Sequence, residues 1–157
     1  MHRGRRDSVA FTVVVSVLVL LGGLAMALVI GLSGAPGSLV LAALLAAVPV
    51  GPLVGCFMWL DRYEPEPRNL LAAGLLWGAF VATAAALVFQ GIGLVGGASE
   101  RDSLAVVAPL TEEATKGAFL LLLLWWRRHE LDGVLDGIVY AGMVGVCLLY
   151  TSDAADE

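Results

Sequence analysis

The sequence predicts an all-α fold, a polytopic bundle of transmembrane helices with four full spans and a shortened fifth. Three observations carry this prediction. The 157-residue chain is 59% hydrophobic and 15% charged, whereas a soluble domain carries about 45–50% apolar and about 25% charged residues. Its mean hydropathy is +0.89. Its apolar residues fall into runs of about 20, the length that crosses a hydrocarbon core at 1.5 Å rise per residue. So apolar a chain collapses or inserts rather than staying disordered. A net charge of −5 excludes a basic nucleic-acid binder. Cys56 and Cys147 form neither a CxxC pair nor a metal-binding spacing, which excludes a disulfide scaffold.

The elements follow in order. The first span, 10–32, carries no charge. It is too long for the 7–15-residue apolar region of a signal peptide, and no Ala-x-Ala site closes it, so it reads as an uncleaved span. The second span is 38–60, with Pro49 and Pro52 expected to bend it. The third is 70–95 and the fourth 103–126, ended by Trp125, Trp126, Arg127 and Arg128 as interfacial anchors. The fifth begins at Gly133 and runs to Val146. Connections are short, so neighbouring helices pack antiparallel. Gly51xxxGly55, Gly74xxxGly78 and Gly133xxxGly137 are candidates for close helix contact. Between spans two and three, Asp61-Arg-Tyr-Glu-Pro-Glu-Pro67 reads as an extended, rigid connector.

Basic residues orient the bundle. Arg3, Arg5, Arg6, Arg62, Arg68, Arg127 and Arg128 lie on one side and Arg101 on the other, which puts the N-terminus in the cytoplasm of a bacterial plasma membrane. Residues 147–157 resemble the in-frame translation of a sequencing-library adapter, and the expectation is a non-native tail without a defined role. Three of the fourteen acids lie there. The remaining eleven acids against nine bases leave a net charge of −2, too small to indicate a partner.

Span four carries the chemistry. Glu112, Glu113 and Lys116 stand in the middle of Ala108-Pro-Leu-Thr-Glu-Glu-Ala-Thr-Lys-Gly117, at a depth where each ionised side chain costs about 2.5–3.5 kcal/mol. Spacings of i, i+4 and i, i+3 put all three on one helix face, expected to turn into the bundle. Lys116 neutralises one carboxylate. The other protonates, binds a cation or finds a base on another helix. Pro109 removes a backbone donor and frees the carbonyl near Ala105. An adjacent carboxylate pair suits metal ligation, activation of water or proton relay; an ion-paired helix contact is the purely structural alternative. Asp136 stands in the first turn of span five, as a cap or as part of the site. His129 reads as a solvated loop residue rather than a ligand, and Cys56 as a small buried hydrophobe.

Three stretches together carry a family resemblance: Asp61-Arg-Tyr-Glu-Pro-Glu-Pro67, Ala108-Pro-Leu-Thr-Glu-Glu-Ala-Thr-Lys-Gly117 and Leu135-Asp-Gly-Ile-Val-Tyr-Ala-Gly142. From about residue 50 to 146 the chain resembles the PrsW family of intramembrane metalloproteases, in the wider group of CAAX-protease and bacteriocin-processing membrane enzymes. The resemblance implies that Glu112 and Glu113 match the family's first catalytic motif and Lys116 its basic member. It implies a divalent ion, zinc, held by glutamate and histidine ligands, with Glu112 and Glu113 the candidates in this sequence. It also implies membrane-protein substrates, anti-sigma factors among them.

The family pattern continues into a Phe-x-x-x-Glu motif and a later His-x-x-x-Asp, and neither follows Val146 here. The expectation is that the intact parent is a protease and this chain an inactive part of it. Two other classes stay open. A proton or cation transporter or channel would use Glu112, Glu113 and Lys116 as a relay, and paired hydropathic halves would mark it. A noncatalytic membrane scaffold would keep the trio as helix glue.

Overall fold

The computed structural model describes residues 2–32, 36–62, 65–97, 99–128, 131 and 133–146. Its described residues hold five helices and no strand. Helix α1 is His2–Leu32 and α2 is Pro36–Leu60, unbroken through Pro49 and Pro52. Helix α3, Arg68–Val95, contains a π-helical stretch at Trp77–Ala82. Helix α4 covers 100–127 and has a second π-helical stretch at Ser103–Val107. Helix α5 is Val134–Val146. The expected tail at 147–157 and His129 lie outside the described residues.

Among the described residues two segments are long and apolar enough to cross a membrane, Val9–Val29 and Arg68–Val95. Val48–Leu60 and Val134–Val146 are apolar but shorter. Helix α4 has the length, and Glu112, Glu113 and Lys116 interrupt its apolar character. The outer faces of α1 and α2 are apolar and exposed, Leu20, Leu24, Leu32, Leu44 and Val48 among them. In water such faces would be a severe liability. In lipid they are the solvated surface.

The core forms where α1, α3, α4 and α5 meet, around Phe11, Trp77, Phe119, Leu123, Tyr140 and Val144. The Phe119 ring sits at its centre, 6.1 Å from Phe11 in an edge-on contact and 5.6 Å from a tilted Trp77. Phe11 also meets Trp126 edge-on at 6.4 Å. Aromatic pairs at these separations contribute about 0.5–1.5 kcal/mol each beyond the area they bury.

Missing side chains allow the helices to come this close. A Cβ on Gly78 would run into the Val144 carbonyl, so α3 and α5 touch backbone to backbone there. A Cβ on Gly22 would lie 2.7 Å from the Phe80 carbonyl oxygen, where α1 crosses the π-helical stretch of α3. Gly142 likewise leaves room for the Phe57 ring of α2. Of the three expected glycine pairs, Gly74 and Gly78 line a contact, whereas Gly51, Gly55 and Gly137 face open space. Spacing alone does not choose which glycine finds a neighbour.

Gly78→Ala should therefore force α3 and α5 apart and cost about 1–3 kcal/mol, the usual range for overpacking a tight contact. Gly51→Ala should leave stability unchanged or raise it by about 0.5–1 kcal/mol through helix propensity. Unfolding titrations in mixed micelles with rising dodecyl sulfate would separate the two. Equal effects would contradict the close approach at Gly78.

Candidate active site

Pro109 organises the helix that carries the charges. It has no N–H to give to the carbonyl one turn back, Ala105. The chain responds by widening that turn: residues 103–107 are π-helical, and the Ala108 N–H donates to the Ser103 carbonyl, five residues back. Single π turns of this kind recur at functional sites. Beyond Pro109 two threonines return their hydroxyls to the backbone. Thr111 Oγ1 donates to the Val107 carbonyl at 2.6 Å. Thr115 Oγ1 lies 2.9 Å from both the Thr111 and the Glu112 carbonyl oxygens and shares one proton between them. The two threonine hydroxyls of α4 are thus satisfied within their own helix.

A neighbouring helix fixes this segment in place. Trp77 Nε1 donates to the Thr115 carbonyl at 3.0 Å, and its ring packs on Phe119 one turn further along. Thr115 is the residue before Lys116. The indole thus holds the turn that carries the charges against α3. The sequence reading missed this role for Trp77. Its signal was a lone indole inside an apolar span, because a buried Trp N–H needs an acceptor.

The three charges are not equivalent. Lys116 Nζ donates to Glu113 Oε1 at 2.6 Å, with the glutamate side chain 72% exposed and the lysine 23%. Glu112 is half-buried, and among the described residues no hydrogen bond or ion pair reaches its carboxylate. The inward-turned face expected from the sequence therefore holds Glu112 and Lys116, while Glu113 stands outward and is tied to the lysine. Glu113 takes the one available base, and Glu112 is left with an open carboxylate.

The other two family-like stretches meet each other instead. Tyr140 Oη donates to Glu66 Oε2 at 2.7 Å, joining the α2–α3 linker to α5 across 74 residues. Within the linker the Glu66 N–H donates to Asp61 Oδ1 at 3.0 Å. Asp136 is buried and accepts from the Gly133 N–H at 2.8 Å. That bond is one half of a capping box, in which the third residue of a helix reaches back to the cap N–H. Asp136 is thus a structural cap of α5. Cys56, expected to be buried, is exposed on the outer side of α2.

A catalytic zinc takes three protein ligands and an open position. Among the described residues no three His, Cys, Asp or Glu side chains gather to hold a metal ion. Glu112 and Glu113 are two donors, and one of them is tied to Lys116. These residues alone do not make a zinc site.

A family model described as PrsW family intramembrane metalloprotease matches residues 66–151, just over half the chain. The match contains Glu112, Glu113, Lys116, Asp136 and Tyr140. No curated protein and no solved structure matches the chain.

Trp77→Phe keeps an aromatic ring beside Phe119 but removes the donor to Thr115 and part of the indole's bulk. It should cost about 1–2 kcal/mol, the sum of a hydrogen bond between transmembrane helices and a small packing loss. Trp77→Ala should cost about 3–5 kcal/mol, because it also empties the site beside Phe119. The same micelle titration reads both. A Phe variant as damaging as the Ala variant would put the weight on the bond rather than the ring.

Proposed function

The chain belongs to the PrsW family of intramembrane metalloproteases, and from that premise we propose that it carries the first catalytic motif of a membrane-embedded endopeptidase. In this reading Glu112, Glu113 and Lys116 are the catalytic residues. The observation that carries it is the half-buried Glu112 carboxylate, left open beside the Lys116–Glu113 ion pair. Glu112 takes a proton from the attacking water and returns it to the leaving amine as the peptide C–N bond breaks. Such proton transfer is worth about 10²–10⁴-fold in rate. Lys116 holds the Glu113 carboxylate, so that two adjacent glutamates do not face each other uncompensated in a low dielectric.

A metalloprotease uses a divalent ion to polarise the peptide carbonyl and acidify water. Zinc is the ion in this reading, and Glu112 and Glu113 are candidate donors that do not complete its site by themselves. The substrates are membrane proteins, with anti-sigma factors as the specific class proposed. In this reading the spans lie at 10–32, 38–60, 70–95, 103–126 and from 133 onward, and two of them, the first and the third, rest on segments long and apolar enough to cross. The asymmetry of the bases supports an N-terminus in the cytoplasm of a bacterial plasma membrane.

Reconstituted in proteoliposomes with a membrane-spanning peptide substrate, the full gene product should lose at least about 100-fold in cleavage rate with Glu112→Ala or Glu113→Ala. Glu112→Gln should fail equally, because it keeps the shape and loses the base. Chelation should stop cleavage and added zinc should restore it. Full activity of the Glu112→Gln protein would remove Glu112 from the chemistry, and labelling of a cysteine at position 101 only from the cytoplasm would reverse the orientation.

A further inference from the structure

Tyr140 and Glu66 bond to each other, and the proposed chemistry makes no use of either. Tyr140 is buried on α5, and Glu66 is half-buried in the linker. A phenol at that depth needs an acceptor, and the Glu66 carboxylate supplies one.

Glu66 is continuous with α3. Pro67 follows it with φ at −59°, and the Pro67 carbonyl accepts from the Leu70 N–H at 2.8 Å and the Leu71 N–H at 3.3 Å. Both leucines are buried. What holds Glu66 therefore holds the first turn of α3. From Arg68 to Leu76 the helix is regular. It carries an axial displacement of its first turn on to Trp77, ~14 Å away at 1.5 Å per residue.

Packing between α3 and α5 sets that axial position weakly. Where the two helices touch, Gly74 faces the Val144 side chain and Gly78 the Val144 carbonyl. Glycines bring backbones close and leave no side chain to interlock along the axis. The Tyr140–Glu66 bond is directional, and it supplies a stop that the glycines lack. The Trp77–Thr115 bond is 3.0 Å long and tolerates little slip. Moving α3 across it by half a helical turn, ~2.7 Å, stretches it to ~4 Å, outside hydrogen-bond range.

We propose that Glu66 and Tyr140 are positioning residues. Their bond fixes how far α3 lies along α5, and through Trp77 and Thr115 it fixes the turn of α4 that carries Glu112 and Lys116. The bearing on catalysis rests on the reading of Glu112 given above, whereas the coupling between the two hydrogen bonds does not.

The test is the indole proton of Trp77 in the full chain, purified in detergent micelles with isotopically labelled tryptophan and observed by nitrogen–proton correlation NMR. Its resonance is the one that Trp77→Phe removes. A hydrogen-bonded indole proton resonates downfield of a free one. Tyr140→Phe keeps the ring and deletes the hydroxyl, and it should move the Trp77 resonance upfield. Glu66→Ala should move it the same way. Glu66→Gln, whose amide oxygen still accepts, should leave it at the wild-type position. Loss of stability alone lowers the folded fraction without moving the folded protein's resonance, so the readout separates positioning from packing. An unmoved resonance in folded Tyr140→Phe or folded Glu66→Ala would overturn the proposal. A displaced resonance in Glu66→Gln would overturn it as well, whether or not the other two variants fold. Nothing in this measurement involves cleavage, so full activity of the Glu112→Gln protein would strike the catalytic reading and leave the coupling standing.

Discussion

Pro109 breaks the hydrogen-bond pattern of α4 where its charges are densest, and each backbone group it frees needs another partner. The structure of α4 follows from that constraint. The widened turn at Ser103–Val107 re-registers the backbone ahead of the proline. Thr111 and Thr115 then give their hydroxyls to nearby carbonyls. These adjustments let a helix with three ionisable residues keep its backbone carbonyls partnered around the proline. The Trp77 indole adds a bond from outside, so the position of Glu112 depends on α3 as well as on its own helix.

Helix α3 is the element the others share. Its π-helical stretch faces Gly22 of α1 at Phe80, its Gly78 meets the backbone of α5, and its Trp77 reaches α4. Each contact combines a small residue or a donor with a neighbour's backbone. Contacts of that kind suit a solvent in which apolar surface gains little by being buried. The aromatic centre at Phe11, Trp77 and Phe119 supplies shape rather than hydrophobic drive.

Hydropathy located the helices well, because each apolar run is bounded by Gly, Pro or charged residues and lipid admits few other forms. Helices α1 and α4 begin earlier than the apolar runs do, since an arginine-rich or polar turn is also helical once a span nucleates it. The charged trio was equally legible, because ionisable residues stand out against leucine. What the sequence could not reveal was partner choice. Lys116 has two glutamates within reach on its own helix, and rotamer and packing decide that Glu113 receives it. Gly22 and Gly142 belong to no spacing pattern, yet they face neighbours, whereas the well-patterned Gly51 and Gly55 do not. Tyr140 and Glu66 are far apart in the chain, and a lone sequence carries no sign of their bond.

That bond bears on the order in which the protein is made. Glu66 leaves the ribosome 74 residues ahead of Tyr140, at a time when α3, α4 and α5 do not yet exist. The linker between α2 and α3 therefore waits while three further helices are synthesised. Only when α5 docks does the linker acquire its phenol partner. Closure at this end of the bundle is thus a late event in biogenesis, and it reports that the fifth helix has arrived in register with the third.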